Sequence, residues 1–153
     1  MRWLTDSFKR IKKAEKGFNM VIKGGCYCKE VRYRAQGDPL FAGQCHCREC
    51  QYLTGGNPNV IMAMPDEGFE FTSGETQKFT RSDIDNAVTR EFCGNCGTSI
   101  GTRSPQMPGA IILKVGTLDD QSVFEPQMAI YTCDAQQYHH IPEGLPAFDK
   151  VPG

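Results

Sequence analysis

Eight cysteines fall into tight groups along 153 residues, and that grouping limits the possible folds more than any other feature. The groups read Cys26-Tyr27-Cys28, then Cys45-His46-Cys47-Arg48-Glu49-Cys50, then Cys93-Gly94-Asn95-Cys96-Gly97, with Cys133 alone. A C-x2-C followed by glycine makes a tight knuckle in which both thiolates face one point and backbone N–H groups steady their charge. A tetrahedral structural zinc takes four ligands, so the knuckle at Cys93 and Cys96 needs a second pair, and Cys26 with Cys28 is the other isolated pair. Closing a metal loop over about 65 residues would tie the first strand to the middle of the chain.

That assignment leaves Cys45, Cys47 and Cys50 as a triple. Three protein ligands leave a fourth position for water or substrate, which is the arrangement of catalytic zinc sites. A fourth protein ligand from His46, Cys133, His139 or His140 would instead close the site. His46 sits between two cysteines that must both face the metal, so its ring is expected to face solvent or a hydrogen-bond partner. Cys133 follows Ile130-Tyr131-Thr132 and reads as an ordinary buried strand cysteine. His139 and His140 read as surface-loop residues, and because neighbours on a strand face opposite ways, at most one of them could serve the site. Redox use of Cys47 and Cys50 is disfavoured by the lack of a βαβ setting.

Turn residues recur every 8 to 15 positions, separating short segments rich in Val, Ile, Phe and Tyr, so the expected class is mainly β with little helix. Val31, Tyr33 and Ala35 alternate with Arg32 and Arg34. Residues 60–64 form a continuous apolar run, Phe69 and Phe71 alternate before Ser73-Gly74, and residues 110–115 make another strong strand. The tail from Pro142 is expected to be irregular.

The formal net charge is −1, and no apolar run reaches the ~18 residues needed to span a bilayer, so neither a membrane nor specific nucleic acid is an expected partner. Residues 1–19 carry six basic residues against Asp6 and Glu15. Leu4, Phe8 and Ile11 at helical spacing allow a short amphipathic helix there. We read 1–19 as a basic N-terminal extension and 20–153 as the metal-binding domain. The extension lacks the apolar core of a secretory signal, so a reducing, cytoplasmic setting is expected, where clustered cysteines serve metals before disulfides.

Taken in order, Gly25-Cys26-Tyr27-Cys28, the Cys45 to Cys50 cluster with Thr54-Gly55 behind it, Phe92-Cys93-Gly94-Asn95-Cys96-Gly97-Thr98, and Val115-Gly116-Thr117-Leu118-Asp119-Asp120 resemble one family. It is the glutathione-dependent formaldehyde-activating enzyme family, which includes centromere protein V. The resemblance continues through Glu125-Pro126 and Gly144-Leu145-Pro146, covering roughly residues 20–150. It implies a complex fold of coiled antiparallel β-sheets stapled by two zincs. The structural ligands would be Cys26, Cys28, Cys93 and Cys96, and the catalytic ligands Cys45, Cys47 and Cys50. It also implies a carbon–sulfur lyase acting on a small thiol adduct, with glutathione as the thiol and S-(hydroxymethyl)glutathione formed or broken down.

Two positions depart from the family pattern: Ala129 stands where a histidine is usual, and Tyr138 where tryptophan is. Arg48, beside the triple, is a candidate for binding a substrate carboxylate or else an exposed surface arginine. Three thiolates give their metal a negative shell, so positioning of reactants is expected to matter more than Lewis acidity. The alternative in another class is a non-catalytic, zinc-stabilised protein-interaction module. A thiol sensor or metal-transfer protein using the triple is a third reading.

Overall fold

In the computed structural model, residues 20–153 are described. The helix expected in 1–19 lies outside the described residues.

The chain is mainly β, as its patterning predicts. Its strands are β1 (Val21–Gly25), β2 (Arg32–Gln36), β3 (Phe41–Cys45), β4 (Asn59–Pro65), β5 (Phe69–Ser73), β6 (Thr76–Thr80), β7 (Thr89–Cys93), β8 (Ser99–Arg103), β9 (Ala110–Lys114) and β10 (Met128–Ile130). One helix, α1 (Arg48–Thr54), follows β3, and short 3-10 turns occupy several connections. β1, β2 and β5 form a small antiparallel sheet. The other seven strands form a larger sheet in the order β10-β3-β4-β9-β8-β7-β6. All its pairings are antiparallel except β10 with β3, which run parallel.

The two sheets share a core because their apolar residues obey the strand period of two. Tyr33 and Ala35 of β2, with Val31 just before it, are buried in one cluster with Met62 and Met64 of β4, Ile100 of β8, and Ile111 and Leu113 of β9. The intervening residues of the large sheet point to its other face, where Phe41, Cys45, Ile61 and Ala63 form a second cluster. β4 is therefore covered on both sides, which explains why residues 60–64 are apolar without alternation.

This arrangement sets the places of the cysteines. The small sheet's β1–β2 turn meets the large sheet's β7–β8 turn at one end of the shared core, while β3 and α1 carry the triple on the opposite face of the large sheet.

Candidate metal centres

Cys26, Cys28, Cys93 and Cys96 converge so that their four sulfurs lie within 4.8 Å of one another. Two edges of the group are short: Cys26 Sγ to Cys28 Sγ is 3.5 Å and Cys28 Sγ to Cys93 Sγ is 3.8 Å. Sulfurs placed tetrahedrally about 2.3 Å from a zinc would be about 3.8 Å apart, so the donor set fits that ion. Both turns are shaped to present the thiols. In the first, the Cys26 N–H donates to Val31 O at 3.0 Å, the Val31 N–H donates to Cys26 Sγ at 3.2 Å, and Lys29 takes a left-handed backbone (φ 68°). In the second, the Gly97 N–H returns to Cys93 O at 2.8 Å, and Gly97 itself has φ 76°, the conformation that favours glycine.

Further donors steady the sulfurs. Asn95 Nδ2 donates to Cys28 Sγ at 3.4 Å, and the Thr98 hydroxyl lies 3.1 Å from Cys96 Sγ. The hydrogen bond with Thr98 is the main reason the Cys96 thiol is pulled down to about 5. Thr98 Oγ1 also accepts the Tyr27 N–H at 3.1 Å, bracing one turn against the other.

Cys45, Cys47 and Cys50 form a second group, again within 4.8 Å. Cys45 ends β3. Cys47 caps α1, its sulfur accepting the Cys50 N–H at 3.4 Å, and Cys50 lies in the first turn. The helix stops at Gly55, whose left-handed backbone (φ 74°) suits glycine and lets its N–H cap the helix. Asn59, opposite Cys45 on β4, donates from Nδ2 to Cys50 Sγ at 3.4 Å.

Protons are shared unequally in the triple. Hydrogen bonds from Cys45 and Cys47, aided by Asn59 and the charge of Lys114, pull Cys50 down to about 3, while hydrogen bonding with Cys47 and Cys50, together with burial, pushes Cys45 far up. Three thiols this close cannot all ionise without added positive charge. The donor set therefore has the chemistry of a soft-cation site.

Lys114 supplies part of that charge. It is 9% exposed, and its Nζ donates to Thr102 Oγ1 at 3.0 Å. Register places it on the same face as Ile61, Asn59 and Cys45. Burial, helped by the charge of nearby Arg90, lowers it to about 8 against the pull of the three cysteines. Arg90, paired with Thr102 in register, donates from Nη2 to Glu49 Oε2 of α1 at 2.8 Å. A polar row thus runs across the sheet from the triple to α1's flank. Sequence reading missed Lys114, Asn59, Thr102 and Arg90. The available signal was a lysine ending the apolar run of 110–113.

His46 is fully buried, so of its two expected settings it takes the hydrogen-bonded one. Its Nδ1 lies 2.9 Å from His139 Nδ1, its Nε2 lies 3.1 Å from the Gln44 side-chain amide, and its peptide N–H donates to Ile130 O at 3.0 Å. Burial and the neighbouring His139 both lower its pKa. His139 is half-buried rather than a free surface-loop residue. Its Nε2–H donates to Gly56 O at 2.7 Å and its Nδ1 accepts the Gln136 N–H at 3.2 Å, whereas His140 is exposed. Both rings are thereby engaged away from the three sulfurs.

Cys133 differs from expectation. It is exposed and lies in a 3-10 turn (Thr132–Asp134), because the left-handed Tyr131 (φ 53°) ends β10 before the chain reaches it. It stands outside the three-sulfur group. Arg48 is exposed, with Nη1 donating to Gln51 Oε1 and its guanidinium 5.2 Å from the Tyr52 ring centroid, which is a surface arrangement. Ala129 is fully buried on β10, and Tyr138 is exposed with its hydroxyl donating to Gly56 O at 3.2 Å. No helix among the described residues is long and apolar enough to cross a membrane.

Comparison with known proteins follows this geometry. A family model described as "Glutathione-dependent formaldehyde-activating enzyme" matches residues 21–134. No curated protein matches the chain. A crystal structure of a Rhodobacter sphaeroides protein, a structural-genomics target, aligns with a TM-score of 0.54 at 17% identity, covering 68% of this chain and 96% of that one. At that identity the likeness concerns the fold alone.

Proposed function

We propose a function on the premise that this chain belongs to the glutathione-dependent formaldehyde-activating enzyme family: it is a zinc-dependent carbon–sulfur lyase for a small thiol adduct. The reaction joins a thiol to formaldehyde, or releases both from the S-hydroxymethyl product, S-(hydroxymethyl)glutathione being the adduct the family description suggests. In this reading residues 20–153 are the two-zinc domain and residues 1–19 an extension of it. Cys26, Cys28, Cys93 and Cys96 hold a structural zinc, and Cys45, Cys47 and Cys50 hold the one at which chemistry occurs.

The observation that carries this reading is the composition of the triple. Among the described residues three sulfurs converge and no fourth ligand joins them: His46 is committed to His139 and Gln44, and Cys133 lies outside. A tetrahedral ion held by three protein atoms keeps one position for a substrate. Zinc bound there would supply the positive charge that keeps a substrate thiol ionised at neutral pH. The chain's own residues do the rest. Asn59 fixes the Cys50 sulfur, and α1 and β3 hold the three ligands on rigid elements. Lys114, locked by Thr102, places an ammonium on the same face as the triple, where negative charge on the carbonyl oxygen would develop as the carbon–sulfur bond forms.

The test is to follow S-hydroxymethyl adduct formation by NMR exchange, with wild-type protein and with Cys47→Ser. Acceleration by the wild type and none by the variant supports the assignment. Equal exchange with both, in protein holding its zinc, would move the chain to the interaction-module class.

A further inference from the structure

Tyr131 departs from the alternation of its own strand. β10 runs beside β3 with Ile130 opposite Cys45 in register, and Tyr131 comes next in the chain. Neighbours along a strand point to opposite faces. Ile130 and Tyr131 nevertheless both pack against the one apolar cluster that contains Cys45. The backbone makes this possible, because Tyr131 takes the left-handed conformation (φ 53°, ψ 40°) and so turns its ring onto the face of the large sheet that carries the three cysteines.

A bulky residue in that conformation is an outlier, and strain of this kind gathers at functional sites. Here it is held from both sides: the Tyr131 N–H donates to Lys150 O at 2.9 Å, and Tyr131 O accepts the Asp134 N–H at 3.1 Å. Glycine or asparagine would make the same turn with less strain, so the turn alone does not account for a tyrosine. Packing alone would be served by phenylalanine. What tyrosine adds is a hydroxyl, and this one makes no hydrogen bond among the described residues and is not sealed from solvent. The hydroxyls of Tyr33 and Tyr138, by contrast, are engaged with Thr117 Oγ1 and Gly56 O.

Two observations place the Tyr131 phenol beside the three sulfurs. Cys47 and Cys50 pack against the same cluster as its ring. Burial raises the phenol above its ordinary value, and the charges of Cys45 and Cys47 are the next largest causes. In the strand order β10-β3-β4-β9, Tyr131 follows the strand on one side of Cys45, and Lys114 ends the strand two places to the other side. The three-cysteine group is thus bracketed by a hydroxyl and an ammonium.

That bracket matches the charge the reaction creates. As a thiolate attacks formaldehyde, a sulfur lone pair forms the carbon–sulfur bond and the C=O π pair moves to oxygen, which then takes a proton from water. Until it does, the oxygen is negative, and a fixed O–H donor lowers the energy of that state. We propose that the Tyr131 hydroxyl lines the open side of the three-cysteine group and donates a hydrogen bond to the oxygen of the adduct formed there, across from Lys114. The proposal rests on the lyase reading for the identity of that oxygen.

The test is calorimetric, on zinc-loaded wild type and Tyr131→Phe, which keeps the ring and the turn and removes only the hydroxyl. Two ligands are compared: thioacetate, whose oxygen sits on the carbon that bears sulfur, and ethanethiol, which lacks that oxygen. We expect Tyr131→Phe to bind thioacetate at least about tenfold more weakly and ethanethiol equally well, with zinc content and Tm unchanged. Equal weakening of both ligands would make Tyr131 a structural residue and overturn the proposal. An unchanged affinity for thioacetate, or no binding of it by the wild type, would overturn it as well. Because no turnover is needed, the result is separate from the lyase reading: protein that fails to speed adduct exchange but loses thioacetate affinity in Tyr131→Phe refutes that reading and keeps this contact.

Discussion

The Nδ1 atoms of His46 and His139 lie 2.9 Å apart, joining the C-terminal tail to the loop that carries the three-cysteine group. His139 Nδ1 also accepts the Gln136 N–H at 3.2 Å. The other His139 nitrogen fastens Gly56, just beyond the end of α1. One side chain therefore ties the tail to both ends of the segment running from Cys45 to Gly56.

Removing that tie should be felt at the triple. His139→Ala leaves the buried His46 without its ring partner, at a cost of about 1–2 kcal/mol. For a domain of this size that corresponds to a fall in Tm of about 3–6 °C. Thermal melts check the stability, and chelator kinetics should show faster metal loss from the three-cysteine group with the four-cysteine group unaffected.

The two cysteine groups should fail differently. The four-cysteine group joins the two sheets, and structural zinc supplies apparent binding energies of about 10 kcal/mol in small sites, comparable to a domain's whole stability. Cys93→Ser is expected to unfold or precipitate the chain. Cys47→Ser removes a ligand from a group on the far face of the large sheet, so the fold should persist with one metal fewer. Circular dichroism and metal analysis of both variants decide this, and equal unfolding by the two would sink the division of roles.

Much of this was legible in the sequence, because cysteine spacing and strand alternation are local signals. The knuckle at Cys93 and Cys96, the alternation of Val31, Tyr33 and Ala35, and the two-faced burial of residues 60–64 all follow from short windows. What was hidden depends on contacts distant along the chain. Lys114 gains its meaning only when β9 pairs with β4 and brings it onto the face of Cys45. The bond from His46 to His139 spans 93 residues, and the exposure of Cys133 follows from a single left-handed residue, Tyr131, that propensity does not mark. The parallel pairing of β10 with β3 is hidden for the same reason, since three residues carry no register signal of their own.

Lys114 should make stability depend on pH in a defined window. Burial holds it at about 8 in the folded chain, below its ordinary value of 10.5. Between those values the unfolded chain binds a proton that the folded chain does not, so this group's contribution to stability rises with pH across the window and is at its worst below pH 8. Lys114→Met should therefore stabilise zinc-loaded protein at pH 7, by up to about 3 kcal/mol, with the gain fading above about pH 10.5. Urea unfolding at both pH values checks it. A gain that does not change with pH would show that the ammonium is not the source.

Gly43 marks where the backbone of β3 approaches β10. A Cβ built at Gly43 would lie 2.2 Å from Met128 O, a backbone atom that cannot swing aside. Gly43→Ala should force the parallel pair apart, lowering stability by about 3 kcal/mol or more and displacing the strand that ends in Cys45. Hydrogen exchange at Ala129 and Ile130 locates the effect. Unchanged protection there would contradict it.

The most direct test of the account is a count of zinc per chain in purified protein, repeated after a chelator and after adding a thiol. Two zincs are expected, one of them removed by the chelator without loss of fold and altered in its lability by the thiol. Two zincs equally resistant to the chelator and indifferent to the thiol would contradict a substrate-accessible site at Cys45, Cys47 and Cys50.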